Sequence, residues 1–454
     1  MYKEHIFREY DIRGVYNSDF DNDFARTLGK AYASFLKKQT GKVPTVSVGM
    51  DARLSSPNIK DALVQGFVES GAKVFDLGLI TTPMSYFSMF HLDLCGGIMV
   101  TGSHNPAEYN GFKISLGQTT IYGDQIQELK KFITDNLFIS GDGSVENFDI
   151  SDAYVKRYTQ EFVELDPNIG VVLDCGNGAA GAIVRRLYEA VGLRPIILFE
   201  EPDGRFPNHH PDPTVEENTE DLKREVLAQK AAIGIGFDGD ADRIGLVDGT
   251  GRFILGDEIM MIISRDILQK QPRATIIGDV KCSDRLYDDI KRRGGNGIMW
   301  KTGHSLIKNK VKSEKAPFGG ELSGHIFFSD RNYGYDDAPY AGLRLIEILS
   351  RSGLNIGQLL EGIPKSFSTP EIRIETSEEN KFLLVKKLQD HFTKTADSHN
   401  VNTIDGVRVS YPDGWALVRA SNTQPAITVR FESHSQEGLN RIQNNIMELV
   451  NPLL

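Results

Sequence analysis

Thr45-Val46-Ser47-Val48-Gly49, followed at Ser55-Ser56-Pro57 by the start of a helical stretch, decides the fold class. Five residues rich in β-branched side chains and closed by glycine read as a strand. Serine before proline marks a helix start, because proline's fixed φ and missing N–H suit the first turn. The amphipathic stretch runs to about Gly71, and the unit then repeats. Lys73–Leu77 and Gly97–Val100 read as strands and Asp124–Phe138 as a helix. A second series follows the helix-like Asp152–Val163, with strands at Gly170–Asp174, Pro195–Phe199 and Ala232–Phe237. A third holds a helix at Asp257–Leu268, strands at Thr275–Gly278 and Gly297–Lys301, and helices near Ser283–Arg293 and Tyr340–Ser350. Strands alternating with helices predict three related α/β domains with mixed, largely parallel sheets.

The C-terminal stretch differs. Strand-like runs at Thr403–Ser410, Trp415–Arg419 and Ala426–Glu432 lie between helices at Phe382–His391 and Glu437–Val450. Bunched strands of this kind predict a small α+β domain with antiparallel pairing. The expected domains are therefore 1–150, 151–253, 254–367 and 368–454.

Composition narrows the partners. The chain has 454 residues, with 51 Lys+Arg against 62 Asp+Glu and a formal net charge of −11. Without a long basic run this argues against a nucleic-acid partner, since phosphate-backbone affinity needs clustered Lys and Arg. Lys291-Arg292-Arg293, followed by Gly294, reads as a helix C-terminus. The strongest apolar run, Ile259–Ile263, is far short of the ~20 residues a membrane helix requires. The charged start carries no secretory signal, and Cys95, Cys175 and Cys282 are too scattered for a disulfide or metal framework. A cytoplasmic protein with no membrane partner is expected.

Four loops carry chemistry. In Val100-Thr101-Gly102-Ser103-His104-Asn105-Pro106, directly after a strand, Gly102 is expected to turn the backbone and Pro106 to stiffen it. Ser103 would then be held exposed as a nucleophile or phosphoryl carrier. In Phe237-Asp238-Gly239-Asp240-Ala241-Asp242-Arg243, three carboxylates at alternate positions converge on one divalent cation. Their mutual repulsion makes a bare turn unattractive. In Gly319-Gly320-Glu321-Leu322-Ser323-Gly324-His325, an extended backbone would aim Glu321, Ser323 and His325 to one side, a set suited to sugar hydroxyls. Arg419-Ala420-Ser421-Asn422-Thr423-Gln424-Pro425, with Arg430 a strand later, offers guanidinium groups and short donors for a phosphate.

A fifth loop supports a rival. Gly176-Asn177-Gly178-Ala179-Ala180-Gly181 matches G-x-G-x-x-G after a strand, with Glu200 and Glu201 following at the distance a dinucleotide site requires. Taken locally, Gly176, Gly178 and Gly181 would make an NAD-dependent oxidoreductase. Hydride transfer, however, has no use for the aspartate triplet.

The four loops, in this order, resemble the α-D-phosphohexomutase superfamily, most closely its phosphomannomutase/phosphoglucomutase group. The resemblance extends from Phe7-Arg8-Glu9-Tyr10-Asp11-Ile12-Arg13-Gly14 to the Arg419 turn and so covers nearly the whole chain. It implies four domains around a central cleft. It also implies interconversion of hexose 1-phosphate and hexose 6-phosphate through a phosphoserine and a hexose 1,6-bisphosphate intermediate. By the same resemblance Ser103 would be the phosphoserine, and Asp238, Asp240 and Asp242 would hold Mg²⁺ together with a phosphoryl oxygen on Ser103. Glu321 and Ser323 would grip the sugar hydroxyls with help from His304. Arg419, Ser421, Asn422, Thr423 and Arg430 would bind the non-reacting phosphate. Tyr10, Arg13, Lys113, Arg243, Lys281 and His325 would line the reacting end. His325 has the unperturbed pKa nearest neutrality and is the expected general base ahead of Lys113 or Arg13.

Gly320-Glu321-Leu322-Ser323-Gly324-His325 is similar to the Gly-Glu-Met-Ser-Gly-His of dual mannose/glucose mutases, with Leu322 in place of Met. Mannose, with glucose as second substrate, is the expected specificity, and phosphoglucosamine mutase the alternative. A non-catalytic sugar-phosphate sensor would leave Ser103 and the aspartates without purpose. A monomer or weak homo-oligomer is expected.

Overall fold

The computed structural model describes residues 2–395, 401–421 and 425–454. The chain forms two compact units: residues 1–266 with 323–360, and residues 267–322 with 361–454.

The first unit carries two sheets. In one, the parallel strands Gly96–Val100, Thr45–Met50, Lys73–Leu79 and Ser144–Asn147 lie side by side. Tyr109–Leu116 extends this sheet antiparallel to Gly96–Val100 and also pairs antiparallel with Ile12–Val15. In the other, Ile196–Leu198, Val171–Asp174 and Ile233–Phe237 are parallel, and Ile244–Asp248 doubles back antiparallel to the last of them. The mixed, largely parallel α/β architecture is as the alternation predicts. Ser56–Val68 is the helix after the opening strand, with Pro57 in its first turn.

In the second unit Thr275–Asp279 is flanked in parallel by Asn296–Trp300 and Phe318–Gly320. Its C-terminal part is an antiparallel sheet of Val407–Tyr411, Gly414–Ala420 and Ala426–Ser433, with Glu378–Thr395 and Gln436–Val450 packed on it. The single run read at Thr403–Ser410 is instead a short strand Val401–Asn402, a bend at 404–406, and the strand Val407–Tyr411. Among the described residues no helix is long and apolar enough to cross a membrane.

The amphipathic helix Asn22–Thr40 has no counterpart in the periodic reading. It is N-capped by Asp21 and closed by Gly41 at φ 70°. It crosses Ser56–Val68 at backbone contact: a Cβ on Gly29 would stand 2.3 Å from Leu63 O, and one on Gly66 2.0 Å from Arg26 O.

Candidate active site

Ser103 follows the strand Gly96–Val100 and is buried, at 1% exposure, rather than held out to solvent. Its backbone is left-handed, at φ 49°, a conformation that costs a non-glycine residue energy and persists only where its surroundings enforce it. The enforcing group is Arg53, which sequence reasoning passes over. Its guanidinium donates to Ser103 O (2.7 Å), Asn105 O (2.6 Å), Pro106 O (2.5 Å) and Tyr109 O (3.0 Å). Asp51 pairs with Arg53 Nε at 3.1 Å and accepts from Gly102 N at 3.1 Å. Gly102 therefore serves close approach rather than turning, because a Cβ there would lie 2.5 Å from the guanidinium of Arg53.

Ser103 Oγ donates to Asp238 Oδ2 at 2.8 Å and lies 3.2 Å from His104 Nδ1. Burial, then the positive charges of Arg243 and Arg13, push the His104 pKa well below its usual value, so this imidazole is neutral. Arg13, beside it, bonds to Asn105 Oδ1 at 2.8 Å and pairs with Asp11. Tyr10 is buried in the turn that precedes them, closed by Arg8 N donating to Asp11 O.

The structure brings Asp238, Asp240 and Asp242 together after the strand Ile233–Phe237, with one oxygen of each within 4.8 Å of the others. All three are fully buried. Burial, then repulsion from Asp240 and Asp242, drives the Asp238 pKa far up, and burial and Asp240 raise Asp242. Asp240 goes the other way: burial opposes its charge, but Lys113 outweighs it. Lys113 Nζ lies 2.7 Å from Asp240 Oδ2 and also pairs with Asp242 Oδ2. Thr82 and Thr101 donate to the same Asp240 oxygen. Among the described residues Asp240 Oδ1 and Asp242 Oδ1 accept no hydrogen bond. Buried, unsatisfied carboxylate oxygens beside a third carboxylate fit a hard divalent cation.

His325 packs beside this cluster. Arg243 Nε donates to His325 Nε2 at 2.9 Å, and His325 Nδ1 stands 2.8 Å from Asp336 Oδ2. Arginine keeps its protons, so Nε2 is the acceptor and the ring proton belongs on Nδ1, facing Asp336. The extended arrangement expected for Glu321, Ser323 and His325 is not found. Residues 321–324 form a turn, with Gly324 at φ 81° where a Cβ would meet Ile244 O at 2.5 Å. The alternation fails there because a turn rotates successive side chains apart.

In the second unit Glu321 Oε1 accepts from Gly303 N at 2.9 Å, just ahead of His304 at the start of the helix His304–Glu314. Asp279, at the end of its strand, ties the neighbouring loops together by accepting from Thr302 Oγ1 (3.0 Å), Leu322 N (3.2 Å) and Cys282 Sγ (3.0 Å). Asp405 accepts from Thr302 N (3.0 Å) and Arg419 Nε (3.2 Å), joining the His304 loop to the arginine turn. Lys281 Nζ lies 3.4 Å from Glu371 Oε2. Burial works against its charge, but Glu371 and then Asp279 hold its pKa up. Ser421 is buried, and Arg430 turns its guanidinium onto Lys281 O. Asn422 and Thr423 lie outside the described residues. Arg53, Asp51, Asp279, Asp336 and Asp405 are the residues that sequence reasoning misses; none carries a local motif, and all but Asp336 act on a loop far along the chain.

The Gly176 loop is no dinucleotide site. A Cβ on Gly178 would lie 2.8 Å from Gly239 O, and one on Gly181 1.6 Å from Glu200 O. The space a pyrophosphate needs is filled by the chain's own backbone, and the turn runs into a 3₁₀ segment, Ala179–Ala182.

A buried serine against a carboxylate cage, on mixed α/β sheets, defines a phosphoryl-transfer enzyme. The chain belongs to the phosphoglucomutase/phosphomannomutase family. Its alpha/beta/alpha domains I, II and III match residues 4–139, 152–251 and 255–367, and its C-terminal domain matches residues 371–449. A phosphomannomutase/phosphoglucomutase of Pseudomonas aeruginosa is 45% identical over 438 residues, covering 96% of this chain and 94% of that protein. A phosphoglucomutase of Neisseria gonorrhoeae is 42% identical over 450 residues, covering 98% and 96%. The crystal structure of a phosphoglucomutase/phosphomannomutase family protein from Burkholderia thailandensis is 42% identical, covers 100% of this chain and 98% of its own, and has a TM-score of 0.91.

Proposed function

We propose that the protein interconverts hexose 1-phosphate and hexose 6-phosphate, with mannose and glucose as the sugars, by way of a phosphoryl group carried on Ser103. The observation that carries this reading is the placement of Ser103 Oγ 2.8 Å from Asp238 Oδ2 on a backbone wound around Arg53. A hydroxyl so fixed, next to a cation site and the side chains of Lys113 and Arg13, suits a loose phosphoryl transfer, which depends on positioning and charge neutralisation.

Asp238, Asp240 and Asp242 would hold Mg²⁺, which when bound would neutralise phosphoryl oxygens at Ser103. Arg13 and Arg243 present guanidinium groups to the same phosphoryl. His325, its proton kept on Nδ1 by Arg243 and Asp336, offers Nε2 to the attacking sugar hydroxyl once Arg243 turns to substrate. Glu321, Ser323 and His304 take the sugar hydroxyls, Tyr10 and Lys281 line the reacting end, and Arg419, Ser421, Asn422, Thr423 and Arg430 take the phosphate that does not react. The sugar carries two phosphates between the half-reactions and reverses end for end as hexose 1,6-bisphosphate. Three scattered free cysteines support a reducing, cytoplasmic setting.

A coupled assay tests this. With Mg²⁺ and a trace of glucose 1,6-bisphosphate, mannose 1-phosphate and glucose 1-phosphate should both be converted, and glucosamine 1-phosphate far more slowly. Preference for glucosamine 1-phosphate would reassign the substrate, and no turnover of any of the three would end the reading.

A further inference from the structure

We propose that Arg408 is a positioning residue for substrate binding: it fixes the backbone of the loop that carries Lys281 and so sets where the Lys281 ammonium meets the sugar phosphate. The inference rests on the reading of Lys281 as a substrate ligand.

Arg408 lies on the strand Val407–Tyr411 and is 2% exposed. Its Nη1 donates to two backbone carbonyls, Val280 O and Cys282 O, the second at 2.9 Å. Its Nη2 donates to Asp284 Oδ1 at 2.7 Å. Arg430, on the strand Ala426–Ser433, donates to the carbonyl between them, Lys281 O. Three consecutive carbonyls are thus held by two guanidinium groups. Trp415, on the intervening strand Gly414–Ala420, lies between the two. Its ring centroid is 3.6 Å from the Arg408 guanidinium carbon and 5.4 Å from that of Arg430. Trp415 and Leu417 also pack against Val280.

Further bonds tie the loop down. Val280 N donates to Trp300 O, Cys282 N to Asp279 O, and Ser283 Oγ to Glu432 Oε1. With its own carbonyl and those of both neighbours held, Lys281 sits on a backbone fixed on either side of it. Its Nζ is delivered to Glu371 at 3.4 Å and to Asp279 at 3.9 Å.

A guanidinium out of water is costly unless its donors are used. Spending one on peptide carbonyls, where an apolar side chain would also cover Trp415, indicates orientation of the loop. Lysine cannot replace it, because a point charge does not stack on an indole while reaching two carbonyls.

The test is a double-mutant cycle read as KM and kcat for glucose 1-phosphate. Arg408→Gln should raise KM about tenfold while kcat stays within about twofold, since only the placement of a binding group is lost. Arg408→Lys should not rescue it. Lys281→Ala should raise KM as well, and adding Arg408→Gln to Lys281→Ala should change nothing further. A far-UV circular dichroism spectrum and a cooperative thermal melt like those of the native protein check folding of each variant. If Arg408→Gln does not fold, Arg408→Lys supplies the same arm. Additive effects in the cycle, or an unchanged KM on altering Arg408 while Lys281→Ala still raises it, would overturn the inference. An unchanged KM in Lys281→Ala would instead remove the reading of Lys281, and the inference with it.

Discussion

Ser103 and Arg53 show what a single residue contributes and what a motif hides. The serine is legible because Thr-Gly-Ser-His-Asn-Pro follows a strand, and the aspartates because their alternation has no inexpensive explanation without a cation. The arginine that holds the serine loop sits fifty positions away, in Asp51-Ala52-Arg53, and nothing local marks it as buried. Replacing Ser103 by Ala should abolish mutase turnover while the protein still folds, because the phosphoryl carrier is lost together with one buried hydrogen bond to Asp238; measurable turnover would refute its role. Gly102→Ala should act through Arg53. The new Cβ falls 2.5 Å from the guanidinium carbon, so the side chain must move from its four carbonyls. Urea denaturation should show a loss of about 1–3 kcal/mol, the usual range for overpacking. The turnover rate of the folded fraction should fall as well, since Ser103 is no longer held in its left-handed conformation.

At the scale of elements, the strands were legible because apolar runs between turn residues are the strongest local signal. The antiparallel strand Tyr109–Leu116 was not, because Lys113 and the pair Asn110-Gly111 interrupt its apolar pattern. That interruption is what sets Lys113 against the aspartates. Helix Ala338–Ser352 was legible in its body but not in its start. Asp337 caps it through Tyr340 N at 2.8 Å, and its carboxylate also accepts from Tyr154 and Tyr158 of the helix Ser151–Thr159. Burial, outweighing these donors, pushes the Asp337 pKa from 3.8 up to about 6. Between those values the native state holds a proton that the unfolded chain has released. The contribution is therefore full below about pH 4 and is lost as pH rises through about 6. By linkage the span amounts to about 3 kcal/mol. The stability of the native protein minus that of Asp337→Asn should fall across this window and be level above it. A difference independent of pH would show that Asp337 titrates normally.

For the whole molecule, bulk charge and local charge answer different questions. A net charge of −11 speaks against nucleic acid, yet the groups that would meet an anionic sugar are Arg13, Lys113, Arg243, Lys281 and Arg419. Arg13 takes its counter-charge from Asp11, two positions away in the same motif, but Lys281 and Arg419 take theirs from Glu371 and Asp405 in other stretches that carry no motif, so the sequence reveals those ligands and not the groups that aim them. The aspartate cage has a further consequence for stability. Three buried carboxylates neutralised in part by one lysine destabilise the folded state, and a divalent cation relieves that strain by binding the native form alone. Mg²⁺ should raise the melting temperature, by the equivalent of about 2.7 kcal/mol at a hundred times its dissociation constant. Asp238→Asn should then change sign with the solution. In EDTA it should be more stable than the native protein, because burial and repulsion from Asp240 and Asp242 are what raise Asp238. In saturating Mg²⁺ it should be less stable and inactive, because the cage has lost a ligand. Thermal melts of the two proteins with and without Mg²⁺ decide it: curves that keep the same order in both solutions would mean that the aspartates are a structural cluster already satisfied by Lys113.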